Sequence, residues 1–247
     1  ALASTKDVGI YDQALKLVNI LLTLVTSLGS VMLPRVSNLL SLGDHKAINK
    51  MHEMSFLIYN LVIFPIMAGM LIINDDFVNF FLGKDFQEAR YAIAIMILRM
   101  FFIGWTNIMG IQILIPHNKN KEFMLSTTIP AIVSVGLNLF FLPKLGYIGA
   151  AIVSVLTESL VWAIQLFFTR SYLRDVPIIG TMIKIMISSG LMYGILFFVK
   201  NLLNLPSMLN VGLSAILGAI IYISLILIFK VINLRDIKQQ LFRNKGV

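Results

Sequence analysis

Residues 211–229 read VGLSAILGAIIYISLILIF, a run without a single charge. A helix rises about 1.5 Å per residue, so a run of this length crosses the roughly 30 Å hydrocarbon layer of a bilayer. Inside that layer every backbone N–H and C=O must be bonded within the protein, and a lone apolar run meets that demand only as a helix. Working back along the chain, six more stretches bounded by charge or turn residues read the same way: 15–33, 55–73, 92–115, 124–142, 148–169 and 182–199. With 58% hydrophobic and 13% charged residues and a mean hydropathy of +0.87, the composition lies far from that of a soluble domain. The expected fold class is an all-α integral membrane protein with about seven transmembrane helices.

Alternate loops differ in charge. One set holds Arg35, Lys46, Lys50, Lys119, Lys121, Arg170, Arg174 and Lys184, then Lys230, Arg235, Lys238, Arg243 and Lys245 in the tail. The other holds Lys6, Lys16, Lys84, Arg90, Lys144 and Lys200. The first set is roughly twice as basic, which places it in the cytoplasm, with residues 1–14 outside and the C-terminus inside. A net charge of +8 spread over such loops points to anionic lipid head groups as partners, not to nucleic acid. Three units are expected: a core of five spans over 1–169, two additional spans over 170–229, and a basic tail helix over 230–247 in which Leu234, Ile237 and Leu241 recur at helical spacing. A second interfacial helix is expected from His45 toward Glu53, capped by Asp44.

Pro65 and Pro130 fall inside spans, where a missing amide kinks a helix, while Pro34, Pro116 and Pro143 are expected at span ends. Gly190 and Gly194 form a small-xxx-small pair suited to close helix packing. Cysteine is absent, as are a zinc-protease motif, a phosphate-cradling glycine loop and a nucleophile elbow. His45, His52 and His117 read as solvated loop residues, and Asp75, Asp76, Asp85 and Glu88 as a hydrated outer loop. No metal, cofactor or enzymatic activity is expected.

Two ionisable residues fall within spans, Arg99 and Glu158. A charge at mid-membrane costs about 2.5–3.5 kcal/mol on insertion scales, so such a residue faces a cavity, a partner or a substrate path. A guanidinium is always charged and presents a planar fork suited to phosphate. Arg99 therefore reads either as the lining of an anion-binding cavity or as one half of a structural bond with Glu158 or backbone. Glu158 could couple to a cation or bond to a neighbouring helix. Asn19, Asn60, Asn107, Gln112, Asn138 and Gln165 add polar groups that serve interhelical bonding or, together, a sugar path.

The order of short motifs is familiar. GIQILIP at 110–116 precedes a basic loop and a span ending in LNLFFLP at 137–143, followed by KLGYIGAA at 144–151 and the span with Glu158. DVGIY at 7–11 and LPRVS at 33–37 complete the pattern. Across nearly the whole chain this resembles the second half of a Wzx-type polysaccharide flippase, in the superfamily of multidrug extruders and lipid II flippases. The resemblance implies a fourteen-helix, two-lobed transporter of which these spans are helices eight to fourteen, the C-terminal lobe of a longer protein, in keeping with an opening Ala1. It implies a polyprenyl-pyrophosphate-linked oligosaccharide as substrate, flipped across the cytoplasmic membrane by alternating access, with polysaccharide-assembly proteins as further partners. Under it, Arg99 is the first candidate for the pyrophosphate and Lys16 the second, Glu158 either supports Arg99 or takes part in ion coupling, and Asn138, Asn107 and Gln112 lie along the sugar path. The rivals are a cation-coupled multidrug exporter of the same superfamily and a membrane polysaccharide polymerase or ligase; the short outer loop, 74–91, speaks against the latter.

Overall fold

The computed structural model describes residues 4–203 and 205–231. Among them the regular elements are all helical: α1 (Thr5–Ser41), α2 (His45–Phe77), α3 (Ala89–Met96), α4 (Leu98–Thr106), α5 (Asn120–Leu173), α6 (Ile178–Leu203) and α7 (Ser207–Ile228). Short π-helical segments extend α2 over Val78–Leu82 and α4 over Asn107–Leu114, and a 3-10 turn covers Lys84–Phe86. Among the described residues, five stretches are long and apolar enough to cross a membrane: His45–Leu82, Ala89–Leu114, Asn120–Leu173, Ile178–Leu203 and Ser207–Ile228. The third holds two spans, because Gly146 at φ 53°, ψ −133° breaks α5; α1 contains the expected first span. All seven sequence-read spans thus lie on helices, in order.

Boundaries differ from expectation where a cap or proline was given too much weight. Asp44 does cap, its carboxylate accepting the Ala47 N–H at 3.0 Å. The helix it starts does not end near Glu53 but continues through the bilayer segment to Phe77. Pro34 and Pro143 lie inside helices instead of ending them; for Pro143 the chain turns three residues later, at the glycine. The segment 74–91, expected to be an outer loop, is largely helical. The tail helix expected beyond Lys230 lies, from residue 232 on, outside the described residues.

Two apolar clusters hold the helices. The larger unites α1 to α5 around Phe56, Tyr59, Ile93, Met96, Met100 and Met109, all but closed to solvent. The second joins α6 and α7 to the far side of α2 through Ile72, Ile185, Met192, Leu196, Tyr222 and Ile226. Pro65 has a specific part in it. Lacking an amide, it cannot bond the Leu61 carbonyl one turn back, and the Tyr222 hydroxyl donates to that carbonyl at 2.9 Å instead. A neighbouring helix thus satisfies a backbone group that proline frees.

Among the described residues, the two loop sets segregate to opposite ends of the bundle. At the end expected outside, hereafter the outer end, Lys6 meets Glu88 at 2.6 Å, Arg90 meets Asp75 at 3.6 Å and Lys200 meets Asp76 at 2.7 Å. Lys200 also donates to the Ile72 carbonyl at 2.8 Å. Asp76 is therefore a buried tie between α2 and α6, not part of a hydrated loop. At the other end His117 packs on Tyr172, ring centroids 4.2 Å apart, and His52 is 1% exposed between helices, so neither is a solvated loop residue.

Where the halves of α5 turn back on each other, Gly149 sits so near Phe141 that an added Cβ would lie 2.6 Å from its carbonyl oxygen. Backbone cannot step aside as a side-chain tip can. Gly149→Ala is expected to destabilise the protein by about 1–3 kcal/mol, read as a lower melting temperature of the purified protein; an unchanged transition would show that the turn has slack.

Candidate functional site

Along the α4–α5 seam the two helices run in the same direction, and their side chains meet in rungs. Arg99 donates from Nη2 to Glu158 Oε1 at 3.3 Å, the side chains being 13% and 24% exposed. One turn on, Phe102 lies 5.8 Å from Trp162. Further along, Gly110 makes room for Phe123 and Gln165. Gln165 in turn donates to the Ser126 hydroxyl at 3.2 Å, and His117 on Tyr172 closes the seam. The first rung keeps spare capacity: the Nε and Nη1 atoms of Arg99 are buried and meet no partner among the described residues, and so is the Trp162 indole N–H.

The structure brings Arg99 and Glu158 together, and it disperses the other sequence candidates. Asn107 accepts the Tyr59 hydroxyl at 2.6 Å. Gln112, fully buried, accepts the Ser55 hydroxyl at 2.7 Å. Both therefore bond α2 to the π-helical segment, the ordinary work of polar groups inside a membrane bundle. Asn138 donates at 2.8 Å to Ser134 O in its own helix. Lys16 stands apart, its side chain 62% exposed and 2.7 Å from Asp12, one turn back on α1.

Lys16 belongs to a pattern. Asp12, Lys16, Asn19, Thr23 and Thr26 recur at spacings of four and three, which places them along one face of α1. The opposite side, Ile10, Ala14, Val18 and Leu22, is the buried one. The stripe runs about 21 Å along the helix at 1.5 Å per residue, most of a hydrocarbon core. Thr23 and Thr26 turn their hydroxyl protons back to the carbonyls of Asn19 and Leu22, at 2.8 and 3.1 Å, leaving oxygen lone pairs outward. Lipid does not suit such a face: each charged or amide group in it would cost kilocalories. The individual residues were visible in the sequence; the signal that links them is the four-three recurrence of polar residues in an apolar run.

Two further features flank α1. A groove of about 440 Å³ lies between α1, α2, α6 and α7, with Leu21, Leu61, Val62, Ile66, Met192 and Leu196 among its walls. It is almost wholly aliphatic and suits a hydrocarbon chain. At the outer end, Asp7 closes a capping box with Ser4. The Ser4 hydroxyl and amide, with a further contribution from the Tyr147 amide, hold the Asp7 carboxyl below the usual carboxylate range, so it is ionised at neutral pH.

Comparison with known proteins places this geometry in context. Residues 1–91 match the family model described as "Polysaccharide biosynthesis protein". The chain is 22% identical over 237 residues to the "Probable low-salt glycan biosynthesis flippase Agl15" of Haloferax volcanii, covering 96% of this chain and 49% of that protein. It is 27% identical over 165 residues to the "Putative O-antigen transporter" of Escherichia coli, covering 67% of this chain and 40% of that one. Among solved structures, the lipid II flippase MurJ in an inward closed conformation superposes with a TM-score of 0.79 at 18% identity, over 94% of this chain and 48% of its own. The chain thus spans about half the length of the relatives it matches. These likenesses bear out the resemblance to Wzx-type polysaccharide flippases read from the motif order, and the fold is similar to that of about half of the MurJ chain.

Proposed function

We propose that this chain is the C-terminal lobe of a flippase that moves a pyrophosphate-linked oligosaccharide, carried on a polyprenyl lipid, across the cytoplasmic membrane by alternating access. The observation that carries the reading is the polar stripe of α1. A transmembrane helix with one buried apolar face and one wet face borders a water-filled path, and a path of this kind suits sugar hydroxyls. Lys16 supplies the cation for the pyrophosphate near the outer end of that path. Asn19 and Thr23 offer amide and hydroxyl groups to the sugars. The aliphatic groove beside α1 holds part of the lipid chain, so that the head group travels through water while the tail stays in hydrocarbon. Arg99 stands behind this wall, neutralised by Glu158; its spare N–H groups support an anion-binding role of second rank.

The test is transport. The full-length protein is reconstituted in vesicles with a fluorescent polyprenyl-pyrophosphate oligosaccharide, and the fraction of head groups accessible to an external glycosidase is followed in time. Accessibility that equilibrates with protein, and not without it, is the expected result. A protein that leaves the head groups where they started yet expels a cationic dye would instead be an exporter, and the proposal would fall.

A further inference from the structure

We infer that Asp7 is a positioning residue whose carboxylate fastens the outer end of α1 to the turn of α5 at Gly146, and so sets the direction in which the stripe of α1 faces. This rests on the reading of that stripe as the wall of the path.

One oxygen of Asp7 does the work of a helix cap. Oδ2 accepts the Ser4 amide at 3.1 Å and the Ser4 hydroxyl at 2.6 Å, while the Asp7 amide donates to Ser4 Oγ at 3.1 Å. A residue needed only as a cap would be complete there. The second oxygen reaches 140 positions along the chain, where Oδ1 accepts the Tyr147 N–H at 3.4 Å. Gly146 makes that contact possible in two ways. Its φ of 53° lies in the left-handed region that favours glycine. A Cβ there would also stand 2.7 Å from Asp7 Oδ1 and drive the carboxylate away.

Beneath the fastening the packing is thin. An open groove of about 180 Å³ lies between the two elements, bordered by Val8, Tyr11, Leu142, Tyr147 and Ala150. Ile10, Ala14 and Val18 seat the body of α1 in the core, while at this end the contact with α5 is sparser and the polar contact at the rim adds to it. Beside it, Lys6 on Glu88 ties the same turn of α1 to the segment before α3. The stripe begins at Asp12, little more than one turn from the fastening. An axis held at that end has a fixed tilt, and an axis released there can swing its polar face.

The chain has no cysteine, so a single reporter thiol can be placed at will. In the full-length protein, freed of any other cysteine, Asn19→Cys on the stripe is labelled in cells by a membrane-impermeant maleimide, with a permeant maleimide giving the total. Asp7→Ala and Gly146→Ala are each expected to lower the impermeant labelling rate about fivefold, as the loss of one net hydrogen bond predicts. Ser4→Ala, which removes the cap hydroxyl and leaves the Tyr147 contact, is expected to leave the rate unchanged. Asp7→Asn keeps the acceptor oxygen and should restore most of the wild-type rate, which separates fastening from failure to fold. Equal effects of Ser4→Ala and Asp7→Ala would make Asp7 a cap alone and overturn the inference, as would an Asp7→Ala rate no different from wild type. A thiol at 19 that resists even the permeant reagent in the wild type faces lipid; the stripe reading then fails, and the inference falls with it.

Discussion

Lys16→Gln is expected to slow flipping of the pyrophosphate-linked substrate by about 10–100-fold, since a hydrogen bond to a charged group contributes roughly 1.5–3 kcal/mol. The fold should survive the change. The ion pair it removes, with Asp12, is largely exposed, and exposed pairs of this kind stabilise by about 0.2–1 kcal/mol at most. Lys16→Arg retains the charge and should keep most of the rate. The measurement is the initial flipping rate per reconstituted protein, with melting temperature as the control. A glutamine variant that flips at the wild-type rate would remove Lys16 from the path. Lys16→Gln and Glu158→Ala should also differ in kind, the first losing transport with the fold intact and the second losing the fold.

Glu158→Ala leaves Arg99 buried, charged and without its counter-ion. Removing one partner of a buried pair costs about 3–5 kcal/mol, enough to lose most of the folded protein in a marginally stable membrane bundle. Arg99→Ala should be milder, because an orphaned carboxyl can be neutralised by a proton whereas a guanidinium keeps its charge. Replacing both together, as Arg99→Met with Glu158→Leu, is expected to return the melting temperature to near the wild-type value. That double variant also decides the standing of Arg99. Full transport in it would make the seam structural, and transport lost from a stable protein would place the guanidinium in contact with substrate. Equal melting temperatures for the two single variants would show that the pair is better hydrated than its partial burial suggests.

The spans were legible because a bilayer imposes one length and one polarity on every crossing helix, and apolar runs such as 211–229 carry that signature locally. The motif order did the same for the likeness to half of a flippase. Side-chain pairing was less legible. That Arg99 meets Glu158 was one of two open readings, and choosing between them required the parallel register of α4 and α5, which no local pattern encodes. Asp44 was read correctly as a cap, but a cap marks where a helix starts and says nothing of where it stops; the segment from His45 therefore ran on into the bilayer. His52 looked solvated because histidine usually is, and only the packing of α2 on the π-helical segment closes it in. The stripe of α1 is present in the sequence as single residues: Lys16 and Asn19 stand out by charge and amide, while the hydroxyls of Thr23 and Thr26, common in apolar helices, do not mark themselves as sharing that face.

Pro65 and Tyr222 have a consequence for how this sequence can drift. The proline leaves the Leu61 carbonyl bare, and a hydroxyl on another helix covers it. A lineage that loses the hydroxyl first carries a naked carbonyl among lipid tails and is at a disadvantage until it acquires a remedy. A lineage that first replaces the proline closes the α2 ladder, and position 222 then becomes free to vary. The two positions are thus expected to constrain one another, replacement of the proline before the tyrosine being the less costly order.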